Sequence, residues 1–131
     1  MAEVGRHHAE RTKRAPTKLG IVGAGSVGSS LAYAALIRNS ADQIALFDRH
    51  AAKVKAEVLD LAHGTPYTGT TQVSGGTDLD QLAGSDVVVV TAGAKQHPGQ
   101  SRLELAGANT ALLRGLMPQL VACAPDAIFL V

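Results

Sequence analysis

The segment IVGAGSVG contains three closely spaced glycines, Gly23, Gly25 and Gly28. It begins with the end of a short apolar run and leads into a stretch rich in Ala and Leu. In this spacing between a strand and a helix, the first glycine permits a tight turn and the second admits a pyrophosphate to bare backbone. The third lets the helix pack close to the strand. Free N–H groups at the helix start, at Ser26 and Val27, would then face the phosphates, whose charge the helix dipole favours.

A carboxylate stands at the end of the next apolar segment, QIALFD, where Asp48 lies twenty positions after Gly28. At that place it can accept hydrogen bonds from both ribose hydroxyls of an adenosine. Because it would repel a 2′-phosphate, the sequence predicts NAD rather than NADP as the cofactor, although the neighbouring Arg49 would soften this discrimination. The alternative role of Asp48 is that of a helix N-cap, since a helix begins shortly after it.

The segment TAGA follows a run of four valines and contributes Thr91, Ala92, Gly93 and Ala94. Ligands of open parallel sheets bind at the carboxyl ends of strands, and small residues there let a ribose or nicotinamide lie close. By itself the segment is typical of an ordinary turn. The glycine motif upstream makes it a candidate for cofactor binding.

Strands and helices are predicted to alternate along the chain. The pattern predicts strands over 18–23, 43–48, 71–75, 86–93 and 127–131, helices over 27–38, 51–63 and 102–124, a helical turn at 78–84 and a polar loop at 94–101. This order predicts an α/β fold, a Rossmann-like doubly wound parallel sheet of about five strands that stops before a sixth. The four valines indicate a strand buried on both faces. Pro118 is expected to kink or break the last helix.

Composition narrows the function classes. The 131 residues predict a disordered basic tail over 1–17 and one NAD-binding domain over 18–131. Nucleic-acid binding is disfavoured because the net charge is +1 and the chain has two Phe, two Tyr and no Trp. No run reaches the ~18 apolar residues of a membrane span. The single cysteine, Cys123, is compatible with a cytoplasmic protein. No metal site is predicted, and His7 and His8 are interpreted as solvated.

Four segments together resemble a known family. GAGSVG, DLAHG, TAGAKQHPGQSRLEL and MPQLVACAPDAIFLV are similar to the amino-terminal half of L-lactate dehydrogenases, from about Lys18 to Val131. Malate dehydrogenases are the neighbouring possibility. The resemblance implies a cytoplasmic NAD-dependent oxidoreductase that converts pyruvate to L-lactate and is a homo-oligomer when complete. It also places Lys53 near the adenine side of the cofactor, whereas the default interpretation of Lys53 is a surface lysine.

The loop KQHPGQSR is the most specific part of this resemblance. In the family the loop closes over the substrate, and its arginine, matched here by Arg102, polarises the ketone as negative charge develops on its oxygen. The residue matching the substrate selector is Gln96. Malate dehydrogenases carry arginine there for a second carboxylate, so an uncharged glutamine favours pyruvate. The alternatives are a solvated charge for Arg102 and an ordinary loop residue for Gln96.

The family's proton-donating histidine, its aspartate partner and a second arginine follow the point at which this sequence stops. We therefore expect a fragment with much of the cofactor platform and the mobile loop, and with negligible turnover alone. A non-catalytic nucleotide-binding or interaction fragment is the alternative from another class. A methyltransferase-like domain ranks lower, because the loop at 95–102 has no purpose in it.

Overall fold

A computed structural model describes residues 17–131, so all but the last residue of the predicted tail lies outside the described part. Five strands form a single parallel sheet in the order β3-β2-β1-β4-β5. They are β1 (Lys18–Val22), β2 (Gln43–Phe47), β3 (Gln72–Gly76), β4 (Val87–Val90) and β5 (Ile128–Leu130). The predicted Rossmann-like sheet is thereby confirmed.

Three helices connect the strands: α1 (Ser26–Ile37), α2 (Ala51–Gly64) and α3 (Arg102–Cys123). Single 3₁₀ turns occur at Thr65–Tyr67 and Leu79–Leu82. No helix within residues 17–131 is both long enough and apolar enough to cross a membrane.

The strand order reverses at β1, which lies between β2 and β4. The chain proceeds outward through β2 and β3, then returns to the other side of β1 to form β4 and β5. Val22, the last residue of β1, is in register with Phe47 of β2 and with Val90 of β4. Three strands therefore end at the same level of the sheet, and this switch point is where open α/β sheets bind ligands.

The sheet is covered on both faces. One cluster joins α1 and α2 to β1 and β2, through buried residues that include Leu36, Val54, Leu61, Ile21 and Ile44. The second cluster lies on the α3 side and includes Val22, Val88, Leu82 and Leu120. Burial of these aliphatic side chains is worth roughly 1.5–3 kcal/mol each. This packing fixes the relative positions of the three strand ends.

Two expectations need correction. Val88 and Val90 of β4 are buried, whereas Val87 and Val89 are only half-buried, because α1 packs chiefly against β1 and β2. The sequence predicted that Pro118 would kink or break α3, and the break does not occur, since the helix continues through Pro118. Pro118 is exposed, so the helix carbonyl that loses its N–H partner there can bond to water.

Candidate functional site

The turn after β1 requires glycine at its first position. Gly23 has φ +101°, a left-handed conformation that side chains rarely adopt. A Cβ there would also lie 2.9 Å from the backbone nitrogen of Ala92. The Gly23 N–H donates a hydrogen bond of 2.7 Å to the carbonyl of Phe47. The turn is therefore fixed to both neighbouring strand ends.

Gly25 and Gly28 serve different purposes. A Cβ on Gly28 would overlap the carbonyl oxygen of Gly23, so this position lets α1 pack tightly against the turn. A Cβ on Gly25 would meet only Lys53 Nζ, at 3.8 Å. Apart from the end of the Lys53 side chain, nothing therefore obstructs the backbone at Gly25, which is the property that a diphosphate cradle needs.

Among the residues that the structure describes, no acidic side chain caps the start of α1. Its N-cap is Gly25, with no side-chain cap, and its first turn contains no acidic residue. Ser26 and Val27 begin the helix and are exposed. N–H groups of a first helical turn have no intrahelical partner, so these can bind the oxygens of a phosphate.

Asp48 lies directly after β2 and is 9% exposed. Its Oδ2 accepts a hydrogen bond of 2.8 Å from the N–H of Ala24, and its Oδ1 accepts one of 2.9 Å from the N–H of His50. Burial raises the pKa of Asp48, but these two N–H groups and the charges of Lys53 and His50 outweigh burial and hold the pKa below its usual value. The N-cap of α2 is His50, without a side-chain cap, so Asp48 does not take that alternative role.

Lys53, in the first turn of α2, lies beside Asp48. Its Nζ lies 4.0 Å from Asp48 Oδ2, and its side chain is 42% exposed. The ammonium group thus lies between the carboxylate and the open space at Gly25. This position fits the predicted role at the cofactor better than that of an isolated surface lysine.

The predicted TAGA segment leaves β4 beside the glycine turn. The backbone N–H of Thr91 donates to the carbonyl of Val22 at 2.8 Å, and its hydroxyl lies 3.0 Å from the carbonyls of both Val22 and Gly23. Thr91 therefore ties the two strand exits together. Ala92 is half-buried next to them, while Gly93 and Ala94 are exposed.

The loop before α3 is braced by its own side chains. Gly99 has φ +84°, and the N–H of Gln100 donates to the carbonyl of His97 at 3.0 Å, which closes a tight turn. A second hydrogen bond joins the same two residues, since the His97 N–H donates to Gln100 Oε1 at 3.1 Å. Gln96 Nε2 donates to the Gln100 carbonyl at 2.8 Å. The predicted selector Gln96 is therefore turned towards its own loop.

Arg102 is the first residue of α3 and is exposed. Ser101 caps the helix, because its hydroxyl accepts from the Glu104 N–H while Glu104 accepts from the Ser101 N–H at 2.8 Å. These hydrogen bonds from Ser101 hold the pKa of Glu104 below its usual value. The capping box fixes the helix end of the loop and thus the position of Arg102.

The structure brings the glycine turn, Asp48, Lys53 and Thr91 together at the carboxyl ends of the strands. It places Gln96 on the loop that follows β4, and Arg102 at the first position of α3. It adds Asn109, whose Oδ1 accepts a hydrogen bond of 2.7 Å from the Ala94 N–H. No local sequence signal marks a contact across fifteen positions. The Ser-x-x-Glu pattern of the capping box, in contrast, was visible in the sequence. Within residues 17–131, no group of three or more potential metal ligands occurs.

Comparison with known proteins gives a consistent result. The family model described as lactate/malate dehydrogenase, NAD binding domain, matches residues 17–131. An L-lactate dehydrogenase of Bifidobacterium animalis subsp. lactis is 49% identical over 115 residues, which cover 88% of this chain and 36% of the relative. One from Zea mays is 42% identical over 126 residues, covering 96% and 34%. The chain thus spans about a third of the length of these relatives.

Solved structures agree in fold. The malate dehydrogenase of Archaeoglobus fulgidus in complex with NADH superposes with a TM-score of 0.81 at 38% identity, over 86% of this chain and 39% of that protein. A minor L-lactate dehydrogenase of Enterococcus mundtii in a ligand-bound form gives 0.80 at 35% identity, over 86% and 36%.

Proposed function

The chain belongs to the lactate/malate dehydrogenase family, whose NAD-binding domain it matches over residues 17–131, and on that premise we propose that it is the cofactor-binding part of an NAD-dependent L-lactate dehydrogenase. The proposed reaction is the reduction of pyruvate to L-lactate. The observation that carries the proposal is bare backbone at Gly25, open to a ligand and flanked by Asp48 and Lys53. For the complete enzyme, we propose a cytoplasmic homo-oligomer.

This chain has candidate binding groups for the diphosphate and for the adenosine ribose of the cofactor. The N–H groups of Ser26 and Val27 at the uncapped start of α1 bind the diphosphate. The ionised Asp48 accepts hydrogen bonds from the adenosine ribose, and Lys53 contributes positive charge beside it. Thr91 holds the β4 exit against the glycine turn. When bound, NADH supplies the hydride that reduces the ketone.

The substrate roles belong to the loop and to the start of α3. Arg102 polarises the pyruvate carbonyl, because a guanidinium in a closed site stabilises the developing negative charge. Gln96 contacts the methyl end of the substrate, for which it must release its hydrogen bond to the Gln100 carbonyl. A malate-type enzyme would need a cation at this position for the second carboxylate, so Gln96 disfavours that alternative. We assign the proton-donor role to no residue of this chain.

Titration of the purified chain with NADH, by calorimetry and by the coenzyme's own fluorescence, tests the proposal. We expect saturable binding to the wild-type chain. Gly25→Ala places a methyl group where the diphosphate approaches and meets only Lys53 Nζ at 3.8 Å. It should therefore leave the chain folded, with a small loss of stability because alanine is a poorer N-cap than glycine, and weaken NADH binding by about ten-fold or more.

Gly115→Ala is the matched control, since a Cβ at this helical position in α3 meets nothing within 4 Å. It should leave NADH affinity unchanged. Absence of saturable NADH binding to a folded wild-type chain would refute the proposal. Equal NADH affinity of the wild-type chain and a folded Gly25→Ala variant would also refute it.

A further inference from the structure

The loop between β4 and α3 is fixed at both ends by side chains of α3. At its start, the Ala94 N–H donates to Asn109 Oδ1 at 2.7 Å. At its end, Ser101 and Glu104 form the capping box that begins the helix. Residues 95–100 therefore lie between two fixed points.

Within the loop, His97 and Gln100 are joined twice across a tight turn. Pro98 and Gly99 occupy the central positions of this turn, and Gly99 has φ +84°, as the third residue of a type II turn requires. The Gln100 N–H donates to the His97 carbonyl at 3.0 Å, and the His97 N–H donates to Gln100 Oε1 at 3.1 Å. Gln100 is half-buried, whereas every other residue from 93 to 101 is exposed. The side chain of Gln100 therefore closes the turn rather than extending into solvent.

The carbonyl of the same glutamine binds the predicted substrate selector. Gln96 Nε2 donates to this carbonyl at 2.8 Å. The bonds between Gln100 and His97 involve both the N–H and the side chain of Gln100, so they restrict rotation of the whole residue and fix the direction in which its carbonyl faces Gln96. Gln100 also lies two residues before Arg102, the first residue of α3. The two predicted substrate-contacting residues are therefore connected through Gln100.

We propose that Gln100 is a positioning residue for the substrate end of this site, and that it holds the Gln96 amide in one orientation relative to Arg102. This inference rests on the proposed function, in which Gln96 contacts the methyl end of pyruvate. In this role Gln100 acts through Gln96 and does not itself contact the substrate. Binding surfaces that can re-pack discriminate poorly between ligands. Without the Gln100 side chain, we therefore expect the Gln96 amide to become mobile and selection at this position to weaken.

Nuclear magnetic resonance of the isotope-labelled 131-residue chain, without coenzyme, tests the proposal. In the wild type we expect backbone order parameters of about 0.85 over residues 95–100, and a side-chain amide signal of Gln96 displaced from that of a solvated glutamine. Gln100→Ala should return this signal to the solvated position and lower the order parameter at His97 below about 0.6. The His97 N–H should also exchange with solvent about five-fold faster or more, because it loses its hydrogen-bond acceptor. Gln100→Glu should restore all three readouts, since a carboxylate oxygen can accept the same hydrogen bond.

His97→Ala is the matched control, because both hydrogen bonds between His97 and Gln100 use backbone atoms of His97. It should leave the Gln96 amide signal and the order parameters unchanged. A Gln100→Ala variant whose Gln96 signal stays at the wild-type position, or a Gln100→Glu variant that does not restore it, would overturn the role of Gln100. Absence of NADH binding to the same folded samples would instead refute the proposed function, so the two failures are distinguishable.

Discussion

Replacement of Gly28 by alanine should destabilise the fold through one overlap. The new Cβ would overlap the carbonyl oxygen of Gly23 and lie 2.8 Å from Thr91 Oγ1. Because the main obstacle is backbone, no side-chain rotation relieves it, and α1 must move outward from the turn. Overpacking of this kind costs about 3 kcal/mol at the upper end of its range. The better helix propensity of alanine returns about 1 kcal/mol. We therefore expect a net loss of about 2 kcal/mol.

Urea denaturation followed by far-ultraviolet circular dichroism measures this loss as a change in the free energy of unfolding. Gly115→Ala again provides the comparison, because it adds the same methyl group in a helix where nothing lies within 4 Å. It should stabilise the chain by up to about 1 kcal/mol. If Gly28→Ala proved as stable as the wild type or as Gly115→Ala, the close approach of α1 to the turn would be refuted as the reason for glycine at this position.

Two further substitutions test the contacts around the site. Thr91→Val should cost about 1 kcal/mol of unfolding free energy in urea, because it removes the hydroxyl beside the carbonyls of Val22 and Gly23, whereas Thr91→Ser should retain most of it. Asp48 has a lowered pKa in the folded chain, so its contribution to stability is present above its unfolded pKa of about 3.9 and is lost as the pH falls through the folded value. Asp48→Asn should therefore be less stable than the wild type at pH 7, and the difference should shrink in acid; a constant difference in urea midpoint would contradict this.

The order and type of the elements could be predicted because local patterns agree with the fold. Four of the five predicted strands have ends within one residue of the observed ones, β4 ends three residues before its predicted end, and the helix α2 extends only one residue past its predicted end. Where prediction failed, tertiary context decided. The four valines of β4 are identical, so the sequence did not show that Val87 and Val89 would be covered less completely than Val88 and Val90. Pro118 is tolerated within α3 because it lies on the exposed side of the helix.

The candidate site was predictable to the extent that its groups are defined by backbone. Glycine spacing and a carboxylate at a strand end are sequence features with direct geometric meaning. Contacts between side chains and distant backbone are not. The hydrogen bond from the Ala94 N–H to Asn109 depends on how the loop packs against α3, and the one from Gln96 Nε2 to the Gln100 carbonyl depends on how the loop folds on itself. Neither follows from periodicity or propensity.

Most polar groups at the strand ends serve the fold and the predicted ligand at once. Asp48 accepts hydrogen bonds from the N–H groups of Ala24 and His50, and the Thr91 hydroxyl donates to the Gly23 carbonyl in the glycine turn. Loss of coenzyme affinity in variants of either residue would therefore not separate binding from folding. Gly25 differs, because it does not join one strand end to another and a Cβ there would meet only Lys53 Nζ, at 3.8 Å. We therefore expect a change at Gly25 to alter binding without removing the contacts that hold the site together, and this position carries the decisive test of function.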